Sequence, residues 1–233
     1  MKRTIALFLI LVLAGVGWYF WNTYHQVPEE AWNHEYSIDL ADLPEYSGAP
    51  SVSVNEGRPA FAKAETTEFY QTFSELDGLG RCGPAEACLD RTHMPEGERG
   101  EIDTVKPSGW QVARYDFIDN DGFLYNRCHI IGWQLTGVDS EERNLITGTR
   151  YMNVEGMLPY ENKVAHYLRR TENHVLYRVT PVFEGKELLC RGVQIEAQSV
   201  EDDGEGVSFN VYCFNVQPGV DIDYMTGDNH LAQ

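Results

Sequence analysis

The stretch Tyr125-Asn126-Arg127-Cys128-His129-Ile130-Ile131-Gly132 decides how this chain reads. It follows the turn-forming tetrapeptide Asp119-Asn120-Asp121-Gly122, so residues 110–117 and 123–126 read as the two arms of a β-hairpin. Successive side chains of a strand face opposite sides, which puts Arg127 and His129 on one face and Cys128 on the other. That alternation argues against a thiol–imidazole dyad of Cys128 with His129. It favours His129 as a base beside Arg127 as a phosphate clamp. The aspartates of the turn also suggest a calcium loop, but the ligand spacing and closing glutamate of such a loop are missing.

Working downstream, residues 144–149 read as a short strand, and residues 159–170 as a helix with Pro159 in its first turn and Glu161 near its head. A hard cation such as Mg²⁺ takes oxygen ligands and keeps several waters, so the Asn153 amide oxygen and the Glu161 carboxylate suffice to hold one. Residues 174–183, 188–200 and 207–216 are β-patterned, the last two separated by the acidic turn 201–206. Upstream, residues 64–79 lack proline and read as a helix ending at Gly78 and Gly80. Together these elements predict an α+β domain with a central, mostly antiparallel sheet flanked by at least two helices.

The tetrapeptide Asn126-Arg127-Cys128-His129 resembles the Asp-Arg-Gly-His motif of the ββα-metal, DNA/RNA non-specific endonucleases, and among them the secreted streptodornase-like nucleases. The eight-residue step from Asn153 to Glu161 is similar to that family's step from metal-binding asparagine to helix glutamate. The similarity extends from about Tyr46 to the C-terminus and includes Gly109-Trp110 and Tyr177-Arg178-Val179-Thr180. The resemblance implies a ββα-metal active site with His129 as general base and Asn153 as the direct Mg²⁺ ligand. Glu161 would hold a water of that ion, and Arg127 would support the site. Mn²⁺ and Ca²⁺ are conceivable substitutes for the metal. Two positions depart from the motif: Cys128 stands for its glycine and Asn126 for its aspartate. Gly148 stands where many relatives have a glutamine, a loss for which Asn144 or Thr147 could compensate.

Phosphodiester hydrolysis needs an activated water and a counter to the developing negative charge. Neutral His129 takes a proton from water, the cation neutralises the phosphate and the departing 3′ oxygen, and Arg127 with Arg150 balances the remaining charge. Arg150 and Asn144 are candidate phosphate contacts. Nothing in this set reads a base edge, which predicts little sequence specificity.

Composition bounds the rest. The 233 residues are 42% hydrophobic and 12% aromatic, enough for one folded domain with a real core. The net charge of −18 is unusual for a protein that handles nucleic acid. Residues 126–191, however, hold nine Lys and Arg against eight Asp and Glu, a local sum of +1 that leaves −19 elsewhere. A polyanion can approach this neutral stretch, with little long-range steering. Lys2 and Arg3 precede an apolar run over residues 5–21, so residues 1–24 read as an uncleaved membrane anchor or a signal peptide, with everything after them exported. Residues 25–50, acidic and broken by prolines, read as a tether, and 51–233 as the nuclease domain. Export would permit disulfides among the five cysteines, with Cys82–Cys88 the preferred pair and Cys190–Cys213 a second. A zinc site from Cys82, Cys88 and His93 matches no structural zinc spacing.

Each site residue also has a plainer role open to it. His129 could be a satisfied strand histidine, Asn153 a turn cap before Gly156, Glu161 a partner for the helix dipole, and Arg127 an ion-pair residue. His166 and His174 read as surface or strand positions, and Trp110 and Trp133 as core. The reading adopted is an Mg²⁺-dependent endonuclease acting on DNA, with RNA an open second substrate, outside the cytoplasm. No protein partner is evident. The alternative is a catalytically weak or inactive nuclease-like module that binds nucleic acid or serves a structural role at the cell surface.

Overall fold

The computed structural model describes residues 38–61, 67–119 and 121–233, so the expected anchor over residues 1–24 lies outside the described residues. Among the described residues no helix is long and apolar enough to cross a membrane. The strands are β1 (Ser51–Ser53), β2 (Tyr70–Phe73), β3 (Ala85–Leu89), β4 (Tyr125–His129), β5 (Leu145–Thr149), β6 (Val175–Val182), β7 (Gly192–Ser199), β8 (Ser208–Phe214), β9 (Val220–Ile222) and β10 (Asn229–Leu231). The helices are α1 (Trp133–Thr136) and α2 (Leu158–Arg170).

Six strands form one antiparallel sheet in the order β1-β8-β7-β6-β3-β2, while β4 pairs with β5 and β9 with β10. The two-residue period of β6, β7 and β8 sorts their side chains onto two buried faces. Val175, Tyr177, Val179, Val193, Ile195, Ala197, Phe209 and Val211 share the main core with Val164, Ala165 and Leu168 of α2. The opposite face buries an ion network in which Arg178 meets Glu196 at 2.7 Å and Glu86 at 3.3 Å. Segment 58–61 closes over it, since Ala60 both donates to Glu196 and accepts from Arg178. Pro181 has no N–H to give, and it falls beyond β3, whose pairing with β6 ends at Val179.

Three expectations are corrected. The helix foreseen over 64–79 is absent where it is described, because Tyr70–Phe73 pairs with β3 as the edge strand of the sheet, and pairing outweighs local propensity. Of the foreseen hairpin, one antiparallel bridge, Arg114–Phe123, forms among the described residues, flanked by the Tyr115–Gly122 and Leu124–Ala113 backbone hydrogen bonds, and β4 goes on to pair with β5. Residues 38–50 are not a free tether, since Leu40, Leu43 and Tyr46 pack on the cluster around Tyr212 and Phe214.

The foreseen disulfides are also not formed: all five cysteines are free and buried. Extended β3 carries Cys88 away from Cys82 at about 3.3 Å per residue, and Cys82 Sγ donates to the Leu145 carbonyl at 3.2 Å. The β7–β8 register sets Cys213 opposite Val193, three residues from Cys190. Neither pair is joined. Burial raises every one of these thiols above its ordinary pKa, which suppresses thiolate chemistry.

The departures at positions 128 and 148 are one packing event. A Cβ added at Gly148 would stand 2.5 Å from Cys128 Sγ and 2.6 Å from Met152 Cε, so the cysteine fills the volume that a side chain at 148 would need. We expect Gly148→Ala to lower stability by roughly 1–3 kcal/mol through overpacking, and Cys128→Gly to restore most of that loss in the double variant. A denaturant double-mutant cycle measures this, and additive effects would disprove the shared volume.

Candidate active site

His129 ends β4, paired with Leu145 of β5, and its ring is held at both nitrogens. The Asp139 carbonyl can only accept, so the 2.7 Å contact fixes the proton on Nε2. Nδ1 is therefore the basic nitrogen, and Arg99 Nη2 donates to it at 3.1 Å. Burial, helped by the Arg99 charge, lowers the His129 pKa below its ordinary 6.5 against the opposing Asp139 carbonyl. The imidazole is thus kept neutral. The residue is only 6% exposed because Arg99 covers the nitrogen that faces the cavity.

That cavity, about 650 Å³, is lined by His129, Arg127, Asn126, Asn153, Glu161 and Arg99 among others. Arg127 shares the strand face of His129, as the alternation requires. Its donors go to the carbonyls of Val105 and Asp103, and its guanidinium lies 4.1 Å from the Trp110 ring centroid. Asn126 accepts from Asn153 Nδ2 at 3.2 Å. The Asn153 side-chain oxygen, by contrast, accepts no protein hydrogen bond among the described residues.

The step from Asn153 to Glu161 works because of a π-helical turn. In a regular α-helix eight residues overshoot two turns by about 80°. Met152–Met157 is instead π-helical, and Leu158 N–H donates to the Asn153 carbonyl five residues back. The widened turn absorbs one residue, leaving roughly seven, or close to two full turns. Both side chains therefore line the same cavity.

Glu161 belongs to the buried stripe of α2 that continues through Val164, Ala165 and Leu168. Its carboxylate packs on Gly132, where any Cβ would stand 2.5 Å from Oε2. Desolvation raises its pKa from 4.5 to about 7, opposed by the Gln134 amide and the Arg99 charge. A desolvated carboxylate and an unpartnered amide oxygen in one cavity fit a hard divalent cation that keeps most of its water. No trio of His, Cys, Asp or Glu able to hold a metal occurs among the described residues, so the fit rests on these oxygens.

Several candidates sit elsewhere than the sequence suggested. Asn144 is fully buried, with both ends of its amide on the Ile131 backbone, and it secures the chain just past β4. Thr147 donates to the Ser108 carbonyl. Arg150 lines the cavity but is held bidentately by Asp119. Trp110 and Trp133, expected in the core, are partly exposed on the cavity wall, although Trp110 also packs on a buried cluster. Sequence reasoning missed Arg99 and Asp139. Asp139 also accepts from the Gly100 backbone at 2.8 Å, tying the Arg99 loop to the histidine. No local pattern marks either residue, because both lie in loops that only folding brings to residue 129.

A neutral buried imidazole with a basic nitrogen toward a cavity of arginines, an amide oxygen and a desolvated carboxylate has the groups that proton transfer and charge neutralisation at a phosphodiester call for. The chain belongs to the DNA/RNA non-specific endonuclease family, which it matches over residues 62–201. It is similar to a deoxyribonuclease of Streptococcus dysgalactiae subsp. equisimilis, 35% identical over 236 aligned positions that cover 83% of this chain and 70% of that protein. Among solved structures it is similar to NucA from Streptococcus agalactiae with magnesium ion bound, at TM-score 0.71 and 26% identity, covering 83% of this chain and 92% of that one. The structure of Sda1 nuclease with bound zinc ion is also similar, at TM-score 0.65 and 27% identity, covering 79% and 96%.

The raised Glu161 pKa has a thermodynamic consequence. The folded chain binds this proton more tightly than the unfolded chain, so the contribution is complete below pH 4.5 and is lost as pH rises through about 7. In chelator, wild-type stability should fall relative to Glu161→Gln across that interval, by on the order of 3 kcal/mol at most. A difference independent of pH, read from thermal or denaturant unfolding, would refute the desolvated carboxyl.

Proposed function

We propose that this nuclease is a divalent-metal-dependent endonuclease that hydrolyses DNA, and RNA by the same chemistry, with His129 as general base. The observation that carries the reading is the pair of contacts on His129: Nε2 is committed to Asp139, which reserves Nδ1 for a proton. In the reacting complex Arg99 swings from Nδ1 to the phosphate, and water takes its place. The water oxygen bonds to phosphorus, its proton passes to Nδ1, and the bond to the 3′ oxygen breaks. Arg99 then balances charge on the non-bridging oxygens, while Arg127 braces the wall and Arg150 reaches the phosphate once released from Asp119. Asn126 fixes the amide of Asn153, so that Asn153 and Glu161 can hold the ion. A bound cation, Mg²⁺ by its preference for oxygen donors, would neutralise the phosphate and the departing oxygen.

The magnesium named for NucA and the zinc named for Sda1 support a divalent ion without choosing among Mg²⁺, Mn²⁺ and Ca²⁺. Lys2, Arg3 and the apolar run behind them support work outside the cytoplasm, secreted or anchored.

His129→Ala is expected to abolish plasmid digestion in Mg²⁺ with the fold intact by circular dichroism, and chelator should silence the wild type. Wild-type cutting by His129→Ala would remove the assigned base. Arg99→Ala should lower kcat roughly 10²- to 10³-fold, as loss of a donor to a developing oxyanion does. Because the base must be neutral and its pKa is lowered, the acid limb of the kcat/KM profile should lie below pH 6.5. A limb above that value would contradict the desolvated imidazole.

A further inference from the structure

The cavity wall carries four aromatic side chains, of which Tyr125 is buried and Trp110, Phe123 and Trp133 are partly exposed. Two of these three are already layered with cations: Arg127 lies 4.1 Å from the Trp110 centroid and Arg114 lies 3.9 Å from that of Phe123. Arg127 is itself pinned by the Val105 and Asp103 carbonyls, so that layer is preorganised. Trp133 opens α1, is partly exposed, and has no ring or cation partner among the described residues.

Electrostatics gives these rings their importance. The chain carries −18 overall, so a polyanion gains little from long-range attraction. Arg150 is engaged by Asp119, and Arg127 by backbone carbonyls. Binding then gains from contacts that do not depend on phosphate charge, beside those that Arg99 and Arg150 supply. Base–aromatic stacking is such a contact, and every base has a face to offer.

We propose that Trp110, Phe123 and Trp133 form a base-stacking platform beside the scissile phosphate, so that the enzyme prefers unpaired nucleotides to intact duplex. In a duplex the base faces are covered by their neighbours, so the rings add their stacking contact only where nucleotides are splayed, and duplex is held by its phosphates alone. This inference rests on the phosphodiesterase reading and adds the substrate class to it.

The test uses His129→Ala protein in chelator, where nothing is cut, and follows tryptophan quenching by three probes. The probes are a short oligothymidylate, an abasic strand with the same number of phosphates, and a duplex of the same length. Oligothymidylate should bind roughly ten-fold tighter than the abasic strand, and tighter than the duplex. Adding Trp133→Ala should weaken oligothymidylate about ten-fold, leave the abasic strand unchanged, and be largely rescued by Trp133→Phe. With His129 intact and Mg²⁺ present, Trp133→Ala should raise KM on single strands at unchanged kcat. Equal binding of all three probes would overturn the platform while leaving the phosphodiesterase reading standing. If none of the three binds and wild-type protein with Mg²⁺ cuts nothing, both fall.

Discussion

Helix α2 can seat Val164, Ala165 and Leu168 on the sheet only by carrying Glu161 into the same dry layer, because all four lie on one helical stripe. This is the constraint on which the site depends. Apolar burial supplies the driving force, and a carboxylate is forced out of water as a by-product of it. Gly132 leaves the room that the carboxylate needs. The π-helical turn before the helix then turns Asn153 to the same cavity. Folding energy thereby holds two oxygen donors where solvation alone would not leave them.

The histidine is held differently, by hydrogen bonds rather than by packing. Asp139 gives its carbonyl to the ring and its carboxylate to Gly100, so one residue fixes both the tautomer and the loop that presents Arg99. Arg99 in turn adds to the lowering of the His129 pKa by burial and opposes the rise that burial imposes on Glu161, which makes it the electrostatic link across the cavity. The arginine of the motif is held instead by backbone carbonyls and layered on Trp110.

The motif departures are each accommodated by their neighbours. Cys128 points into the core, as the strand alternation demands, and Gly148 yields the volume it occupies. Asn126 supplies a hydrogen-bond acceptor to Asn153 without charge. The charge of this chain is unevenly spread along its sequence. Acid dominates the chain while the stretch carrying the motif stays near neutral, so short-range contacts outweigh steering.

By itself the sequence determined the period-two strands β6, β7 and β8, helix α2 with its proline start, and the shared face of Arg127 and His129. These are local periodicities, written in the spacing of apolar and polar residues. The order of His129, Asn153 and Glu161 was legible too, through the motif they resemble. Only the tertiary structure decided that 70–73 is a strand, because an edge strand takes its conformation from a partner distant in sequence. It also left the cysteines unpaired, since strand register sets the distance between them. Arg99, Asp139 and the wall of aromatic rings entered in the same way: loops carry no periodicity, and what they approach is fixed by the fold that closes around them.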